Sequence, residues 1–130
     1  MGRSLQLNCF YGVPDFQHYI DHLITNQKPE DIELMLNKLT TNYTYFMREK
    51  EHFEFFTDTI LPYLLKTKKN RVLSIWSAGC SSGEEPYTIS MILKEYLGSQ
   101  ASRWDTRVLA TDISQNVLNR AAAATYEELP

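Results

Sequence analysis

The chain has 130 residues, of which 43% are hydrophobic and 22% are charged, which are ordinary values for a globular protein of one compact unit or two small ones. Its formal net charge of −3 argues against a nucleic-acid-binding protein, because no basic face is implied. Since no apolar run reaches membrane-spanning length and no signal-peptide pattern begins the chain, the sequence predicts a cytoplasmic protein without membrane insertion.

Helices are predicted in the first half of the chain. Asp15 is a suitable N-cap, and an apolar stripe at helical spacing follows it over residues 16–24. A second helix is predicted from Pro29, because proline suits the first helical turn. A third helical stretch is predicted to end near Leu65, and Pro62 should kink or shorten it, since proline lacks an N–H group.

Two histidines of the first helix, His18 and His22, lie four residues apart, a spacing that can bind a metal ion. No third ligand and no adjacent acidic motif accompanies them in the sequence. A solvent-exposed helix face is therefore the favoured interpretation, and no metal site is predicted.

The chain is organised around residues 71–98, which predict a strand, a tight turn and a helix. Residues 71–77 are short, apolar and partly β-branched, as in a strand that is covered on both faces. Residues 78–83, named here the small-residue turn, read AGCSSG, and such a turn lets backbone N–H groups approach a ligand closely. The letters EEP that follow suit a first helical turn, and Gly98 is a natural stop.

The small-residue turn favours a ligand without phosphate. It matches neither G-x-G-x-x-G nor a Walker loop, and Glu84 and Glu85 stand where a phosphate-binding loop avoids negative charge. S-adenosylmethionine (SAM), with its sulfonium and ammonium groups, fits better. The alternative is that the turn binds nothing, as in many strand–helix corners. Cys80 is interpreted as a lining residue, because no histidine lies near it in the sequence and small size explains its presence.

A second buried strand is predicted over residues 106–111, followed by Asp112 and a helix over residues 113–124. An acid just past the second strand of an open parallel sheet is placed to bind ribose hydroxyls. The alternative is that Asp112, or Ser114 beside it, caps the helix. Taken together with the small-residue turn, ribose binding is the favoured prediction.

Two parallel strands leave both edges of the predicted sheet with unpaired backbone groups. Doubly wound nucleotide-binding domains have several more strands. We therefore expect the sequence to be the front part of a longer protein or a truncated gene product, and we expect self-association through the exposed sheet edge.

Three blocks of sequence carry a resemblance to a known family. They read NYTYFMR at 42–48 followed by EHF at 51–53, IWSAGCSSGEEPY at 75–87, and LATDI at 109–113 with Leu118 and residues 121–126 behind it. The chain resembles the CheR-type chemotaxis receptor methyltransferases, SAM-dependent enzymes that methylate glutamate side chains of bacterial chemoreceptors. Met47 stands where the family usually has a second phenylalanine, and the family's later half, with a β-subdomain used in receptor docking, is absent from this sequence.

The resemblance implies an α/β fold in two parts. Residues 1–66 are expected to form an N-terminal helical domain and linker, and residues 67–130 the first βαβα part of a Rossmann-like SAM-dependent methyltransferase domain, truncated. It implies SAM as the cofactor, chemotaxis receptors as partners, and glutamate methyl ester and S-adenosylhomocysteine as products. An alternative from a different class is a non-catalytic CheR-like interaction module that binds a receptor or a partner chain. An unrelated nucleotide-binding domain is disfavoured by the missing phosphate-loop residues.

The resemblance also assigns roles to individual residues. Carried over position by position, the implied cofactor contacts are Asn42, Thr44, Arg48, Glu85 and Asp112, with close backbone approach at Gly79 and Gly83. Arg48 is implied to be the catalytic residue, which lies beside the reactive methyl group and orients the incoming carboxylate. Without the resemblance, Arg48 would be interpreted as a surface ion-pair partner for Glu49 or Glu51.

Overall fold

The computed structural model describes residues 15–127, and the chain divides into two compact units. The first unit contains the residues up to Thr41 together with Ser114–Asn116. The second contains Asn42–Ile113 and the residues from Val117 onward. None of the helices described between residues 15 and 127 is long and apolar enough to cross a membrane.

Among the described residues, the first unit holds the complete helices α1 (Phe16–Asn26) and α2 (Pro29–Leu39). The predicted cap of α1 is confirmed, because the Asp15 carboxylate accepts a hydrogen bond from the backbone N–H of His18 at 2.9 Å. The predicted start of α2 is also confirmed. The buried core of this unit, with the partly buried side chains packed against it, consists of Tyr19, Leu23, Ile20 and Met35.

A longer helical stretch lies in the second unit, where α3 (Lys50–Phe55), a π-helical turn (Phe56–Ile60) and α4 (Leu61–Thr67) follow without a break. The N–H of Leu61 donates to the carbonyl of Phe56, five residues earlier. Pro62 comes next, and since it has no N–H to donate to the carbonyl four residues before it, a wider turn accommodates it. Pro62 does not shorten the helical stretch, which continues to Thr67, and the irregularity before it is a π-helical turn; the predicted kink stays a prediction.

The sheet has two parallel strands, β1 (Ile75–Ser77) and β2 (Val108–Ala110), and Trp76 lies opposite Leu109. The elements around them are α5 (Glu84–Leu97), a 3₁₀-helical turn (Gly98–Arg103) and α6 (Gln115–Ala123). The order strand, helix, strand, helix and the parallel pairing confirm an α/β arrangement. Gly98 ends α5 as predicted, with a φ of 50° that favours glycine.

Both strands are shorter than predicted. The continuous ladder covers three residues of each strand rather than residues 71–77 and 106–111. An isolated parallel bridge joins Val72 to Asp105, at the same offset along the chain as the ladder, and the Leu73 N–H donates to the Asp105 carbonyl at 2.9 Å. The residues before each strand therefore run side by side in the ladder's register without continuous pairing.

One face of the sheet packs on a buried cluster and the other face is exposed. The cluster consists of Leu61, Leu73 and Leu93, which come from α4, the approach to β1, and α5. Trp76 and Leu109 lie side by side on the other face and remain 65% and 61% exposed. The prediction that residues 71–77 are covered on both faces is wrong, because nothing described between residues 15 and 127 covers this face.

Candidate functional site

The small-residue turn is fixed to the end of the second strand by backbone hydrogen bonds. The Thr111 N–H donates to the Ser77 carbonyl at 3.0 Å, and the Cys80 N–H donates to the Thr111 carbonyl at 2.9 Å. The Thr111 hydroxyl also donates to the Ala78 carbonyl at 3.1 Å. These bonds continue the parallel pairing past both strands, so the turn leaves the sheet in a defined direction.

Ser81 joins two residues that the sequence predicts to contact a cofactor. Its backbone N–H donates to Oδ2 of Asp112 at 2.8 Å, and its hydroxyl donates to the backbone carbonyl of Asn42 at 2.9 Å. Ser81 adopts a left-handed φ of 47°, which is uncommon for a residue other than glycine. The structure thus brings Asn42 and Asp112 together at one residue, although they lie 70 positions apart (112 − 42) in the sequence.

The two acids at the start of α5 have different surroundings. Glu85 is exposed, and its Oε1 accepts a hydrogen bond at 2.6 Å from the hydroxyl of Ser77, which is only 1% exposed. Glu84 is buried, and its Oε2 accepts a hydrogen bond at 2.7 Å from the hydroxyl of Ser82. Glu85 is therefore the acid that a ligand at the small-residue turn can reach, while Glu84 is buried and binds Ser82 of the turn itself.

The two glycines of the small-residue turn also differ. A Cβ added at Gly79 would meet no atom within 4 Å, so the backbone there borders open space. A Cβ at Gly83 would lie 2.6 Å from the hydroxyl oxygen of Tyr126 and 3.0 Å from Cβ of Ala121, and φ at Gly83 is +102°. The close approach at Gly83 is thus made by side chains of this chain, whereas the space beside Gly79 is available to a ligand.

Residues 42–48, named here the arginine loop, are anchored to the turn and to α5. The Asn42 carbonyl binds Ser81, and the backbone N–H of Met47 donates to the hydroxyl of Thr88 at 3.2 Å. Thr88 is fully buried, so the loop is tied to the packed side of α5. No role for Thr88 is predictable from the sequence, because nothing in its local pattern indicates a bond to a residue 41 positions away.

Arg48 makes its contacts within its own segment. Its Nη1 donates to the Tyr43 carbonyl at 2.8 Å, its guanidinium lies 5.9 Å from the centre of the Tyr43 ring, and its Nε lies 3.7 Å from Oε1 of Glu49. The side chain is about half exposed. The ion pair with Glu49 is the contact expected without any family resemblance, and the orienting role of Arg48 stays a prediction.

Thr44 faces a shallow depression of about 430 Å³ at the surface of the second unit. Its other lining residues come from the arginine loop, the start of α5 and the end of α6, and they are Tyr45, Phe46, Glu84, Arg120, Thr125, Tyr126 and Glu127. Thr44 therefore lines the same depression as the buried acid Glu84, and Glu85 is not among its lining residues.

Cys80 lies within the small-residue turn and is completely buried. Burial raises the pKa of its thiol above the usual value, and the nearby carboxylates of Asp112 and Glu85 act in the same direction. A thiol that keeps its proton is a poor nucleophile. These surroundings fit the interpretation of Cys80 as a lining residue.

The histidines of α1 contact acids of their own unit. Nδ1 of His18 lies 2.8 Å from the Asp15 carboxylate, and Nε2 of His22 lies 3.7 Å from that of Asp31. The hydrogen bond that the His18 ring donates to the Asp15 carboxylate raises the pKa of His18 above its ordinary value. Within residues 15–127, no group of three or more histidine, cysteine or acidic side chains is arranged to hold a metal ion.

The donor and acceptor groups around the turn define the chemistry that a ligand needs. Glu85 bonds Ser77 just before the turn, Asp112 bonds Ser81 within it, and exposed backbone at Gly79 lies between these positions in the chain. Two acids favour a ligand with a cationic centre and hydroxyl groups, and disfavour a phosphate. SAM has the required sulfonium, ammonium and ribose diol, so the residues present fit this cofactor.

The family of the chain is shown by comparison with known proteins. Residues 42–129 match the family model described as "CheR methyltransferase, SAM binding domain". This match covers the arginine loop, the small-residue turn and Asp112, which are the segments that the hydrogen bonds of Ser81 connect.

Three curated relatives illustrate the similarity. A chemotaxis protein methyltransferase of Borreliella burgdorferi is 44% identical over 120 residues, which are 90% of this chain and 42% of the relative. A chemotaxis protein methyltransferase of Escherichia coli is 39% identical over 120 residues, which are 91% of this chain and 39% of the relative. A probable chemotaxis protein methyltransferase of Rhizobium etli is 36% identical over 118 residues, which are 90% of this chain and 44% of the relative.

The chain spans about two fifths of the length of these curated relatives. The match nevertheless includes nine tenths of this chain, and the family model covers more than half of it. The chain therefore belongs to the CheR methyltransferase family, and its residues 42–129 match the model of that family's SAM-binding domain.

Proposed function

We propose that this chain supplies the SAM-binding part of a chemotaxis receptor methyltransferase. The complete activity would transfer a methyl group from SAM to glutamate side chains of chemotaxis receptors, giving glutamate methyl ester and S-adenosylhomocysteine. The observation that carries the proposal is the convergence of Asn42 and Asp112 on Ser81, next to exposed backbone at Gly79.

We propose that the cofactor is held by Asn42, Thr44, Arg48, Gly79, Glu85 and Asp112. For Gly83, whose backbone is approached by Tyr126 and Ala121, we propose a role in shaping the turn instead of the predicted contact with the cofactor. Asp112 follows β2 at the sheet end where an acid binds ribose hydroxyls, and its bond to Ser81 fixes its position. Glu85 is exposed and already oriented by Ser77, which favours a role as acceptor for the ammonium group. When bound, SAM supplies a methyl group attached to a positively charged sulfur, and this sulfur is a good leaving group.

Arg48 is proposed to orient the acceptor carboxylate. A glutamate side chain is already ionised at neutral pH, so no general base is required, and alignment in dry surroundings would provide most of the catalysis. The bond to Tyr43 and the weak pairing with Glu49 leave the guanidinium half exposed and able to exchange partners. In a protein of the relatives' full length, Arg48→Ala should lower turnover far more than cofactor affinity; equal losses would refute this role.

The fold of the complete domain is also a proposal. The two parallel strands with their helices are compatible with the beginning of a Rossmann-like methyltransferase domain. The boundary expected between residues 66 and 67 and the cytoplasmic location stay predictions.

A second candidate function is a non-catalytic interaction module that binds a receptor or a partner chain. The exposed face with Trp76 and Leu109 favours this alternative, because large apolar side chains on adjoining strands form a surface of the kind that binds proteins. The two functions differ in whether the chain binds the cofactor, so one experiment distinguishes them.

The experiment is a calorimetric titration of the chain with S-adenosylhomocysteine and, in parallel, with SAM. We expect saturable binding that Glu85→Gln and Asp112→Asn each weaken about tenfold or more, since each removes one charge from a polar contact. Glu95→Gln, on the same helix but exposed and remote in sequence from the turn, is the matched control and should bind normally. Absence of binding in a chain shown by circular dichroism to be folded would overturn the proposal and favour the interaction module.

A further inference from the structure

Tyr126 follows α6 and is hydrogen-bonded to the small-residue turn. Its hydroxyl donates to the carbonyl of Ser82 at 2.7 Å. Its ring meets the ring of Phe46 edge-on at 5.0 Å between centroids, and that of Tyr87 at 6.0 Å. One side chain thus contacts the turn, the arginine loop and α5, all within the second unit.

The Tyr126 hydroxyl and the backbone of Gly83 are fitted to each other. The hydroxyl oxygen lies where a Cβ at Gly83 would be only 2.6 Å away, and Gly83 has the left-handed φ of +102° with which α5 begins. Burial, and after it the nearby Glu84 carboxylate, raises the pKa of Tyr126 above its usual value. The hydroxyl therefore keeps its proton and remains the donor to Ser82.

The attachment of α5 to α6 does not depend on this hydroxyl. The Tyr87 hydroxyl donates separately to the carbonyl of Ala121 at 3.0 Å. Ser82 itself is held twice, because its carbonyl accepts from Tyr126 while its own hydroxyl donates to Glu84. Loss of the Tyr126 hydroxyl should therefore loosen the end of the turn, which keeps the bond from Ser82 to Glu84, while the helices remain packed.

We infer that Tyr126 is a positioning residue for the cofactor, which acts through the small-residue turn. Its hydroxyl holds Ser82 and Gly83, and with them the start of α5 that carries Glu85, in one conformation before the ligand arrives. Preorganisation of this kind raises affinity because less ordering remains to be done on binding. This inference rests on the proposed function for its effect on the cofactor, but its effect on the turn can be measured without any ligand.

The test compares Tyr126→Phe, which removes only the hydroxyl, with Tyr63→Phe, which alters an exposed tyrosine of α4. Amide hydrogen exchange, followed by NMR, reports on the Gly83 N–H, bonded to Cys80, and on the Tyr87 N–H, bonded to Gly83. In Tyr126→Phe we expect exchange at these two amides to accelerate about tenfold, as for one lost hydrogen bond, while the Thr111 amide keeps its rate. Tyr63→Phe should change none of the three.

Affinity for S-adenosylhomocysteine, titrated on the same proteins, should fall about fivefold to twentyfold in Tyr126→Phe and not in Tyr63→Phe. Unchanged exchange at Gly83 and Tyr87, or equal acceleration at Thr111, would overturn the inference, because the hydroxyl would then be either inactive or generally structural. If the unmodified chain fails to bind the ligand, the proposed function fails, and the exchange rates still decide whether Tyr126 fixes the turn.

A double-mutant comparison tests the contact itself. Gly83→Ala should lower the midpoint of thermal unfolding less in the Tyr126→Phe background than in the unmodified chain, because the 2.6 Å contact is then absent. Equal shifts in both backgrounds would contradict the fit between Tyr126 and Gly83. If Gly83→Ala does not fold, the exchange comparison of Tyr126→Phe remains decisive.

Discussion

Two regions of the same small sheet differ sharply in how far the rest of the chain buries their side chains. At the carboxyl ends of the strands, Ser77 is 1% exposed and its hydroxyl binds Glu85 at 2.6 Å. One residue earlier, Trp76 is 65% exposed and lies beside the equally exposed Leu109. Successive strand residues point to opposite faces, so neighbouring residues of one strand can be buried and exposed in turn. The strand ends are joined by polar contacts within the chain, whereas on the exposed face the rings and side chains of Trp76 and Leu109 stay largely uncovered by residues 15–127, although Trp76 Nε1 donates to the Thr111 hydroxyl at 3.0 Å.

The strongest test of this contrast compares two leucines. Leu93→Ala, on the buried side, should lower the free energy of unfolding by about 2–5 kcal/mol, because Leu93 is 1% exposed and belongs to the central cluster. Leu109→Ala, on the exposed face, should change it by about 0.5 kcal/mol or less. Urea unfolding of both variants measures the difference. A comparable loss at Leu109 would show that this face is covered in solution, and dependence on protein concentration would then identify self-association.

The two glycines of the small-residue turn provide the next comparison. Gly83→Ala should lower the free energy of unfolding by about 1–3 kcal/mol, because the new Cβ meets Tyr126 and Ala121 and the left-handed backbone strains any residue with a side chain. Gly79→Ala should cost about 0.5 kcal/mol or less, since its Cβ would enter open space. Equal costs would contradict the view that only one end of the turn is packed.

The smallest expected effect is a dependence of stability on alkaline pH. Cys80 and Tyr126 both have a pKa raised by burial, from ordinary values of 9.0 and 10.0, so the folded chain retains protons that the unfolded chain releases. Their contribution is intact below about pH 9, and the free energy of unfolding should decline as the pH rises above it. Thermal unfolding between pH 8 and 10.5 should show a smaller decline in Cys80→Ala than in the unmodified chain. An equal decline would mean that the thiol is not shielded.

The local features of the fold were predictable from the sequence. Asp15, Pro29 and Gly98 start or end helices through the backbone of residues next to them in the chain. The helices begin or end beside these residues as predicted. The small-residue turn followed by an acidic first helical turn was also visible, because these patterns depend on residues adjacent in the chain.

The rest required the structure, because it depends on distant pairs. Ser81 joins Asn42 to Asp112, and the bond of Tyr126 to Ser82 spans 44 positions, so no local pattern indicates either contact. The exposure of Trp76 could not be predicted from the sequence for a related reason. An apolar strand predicts burial, but which faces are covered depends on elements elsewhere.

The most direct test of the central claim is a ¹H–¹⁵N NMR titration of the chain with S-adenosylhomocysteine. If the strand ends already form a cofactor site, shifts should saturate at the amides of residues 78–83, Glu85 and Asp112, while those of α4 stay unchanged. Shifts confined to the exposed face around Leu109, or no shifts in a folded chain, would contradict a cofactor site at the small-residue turn.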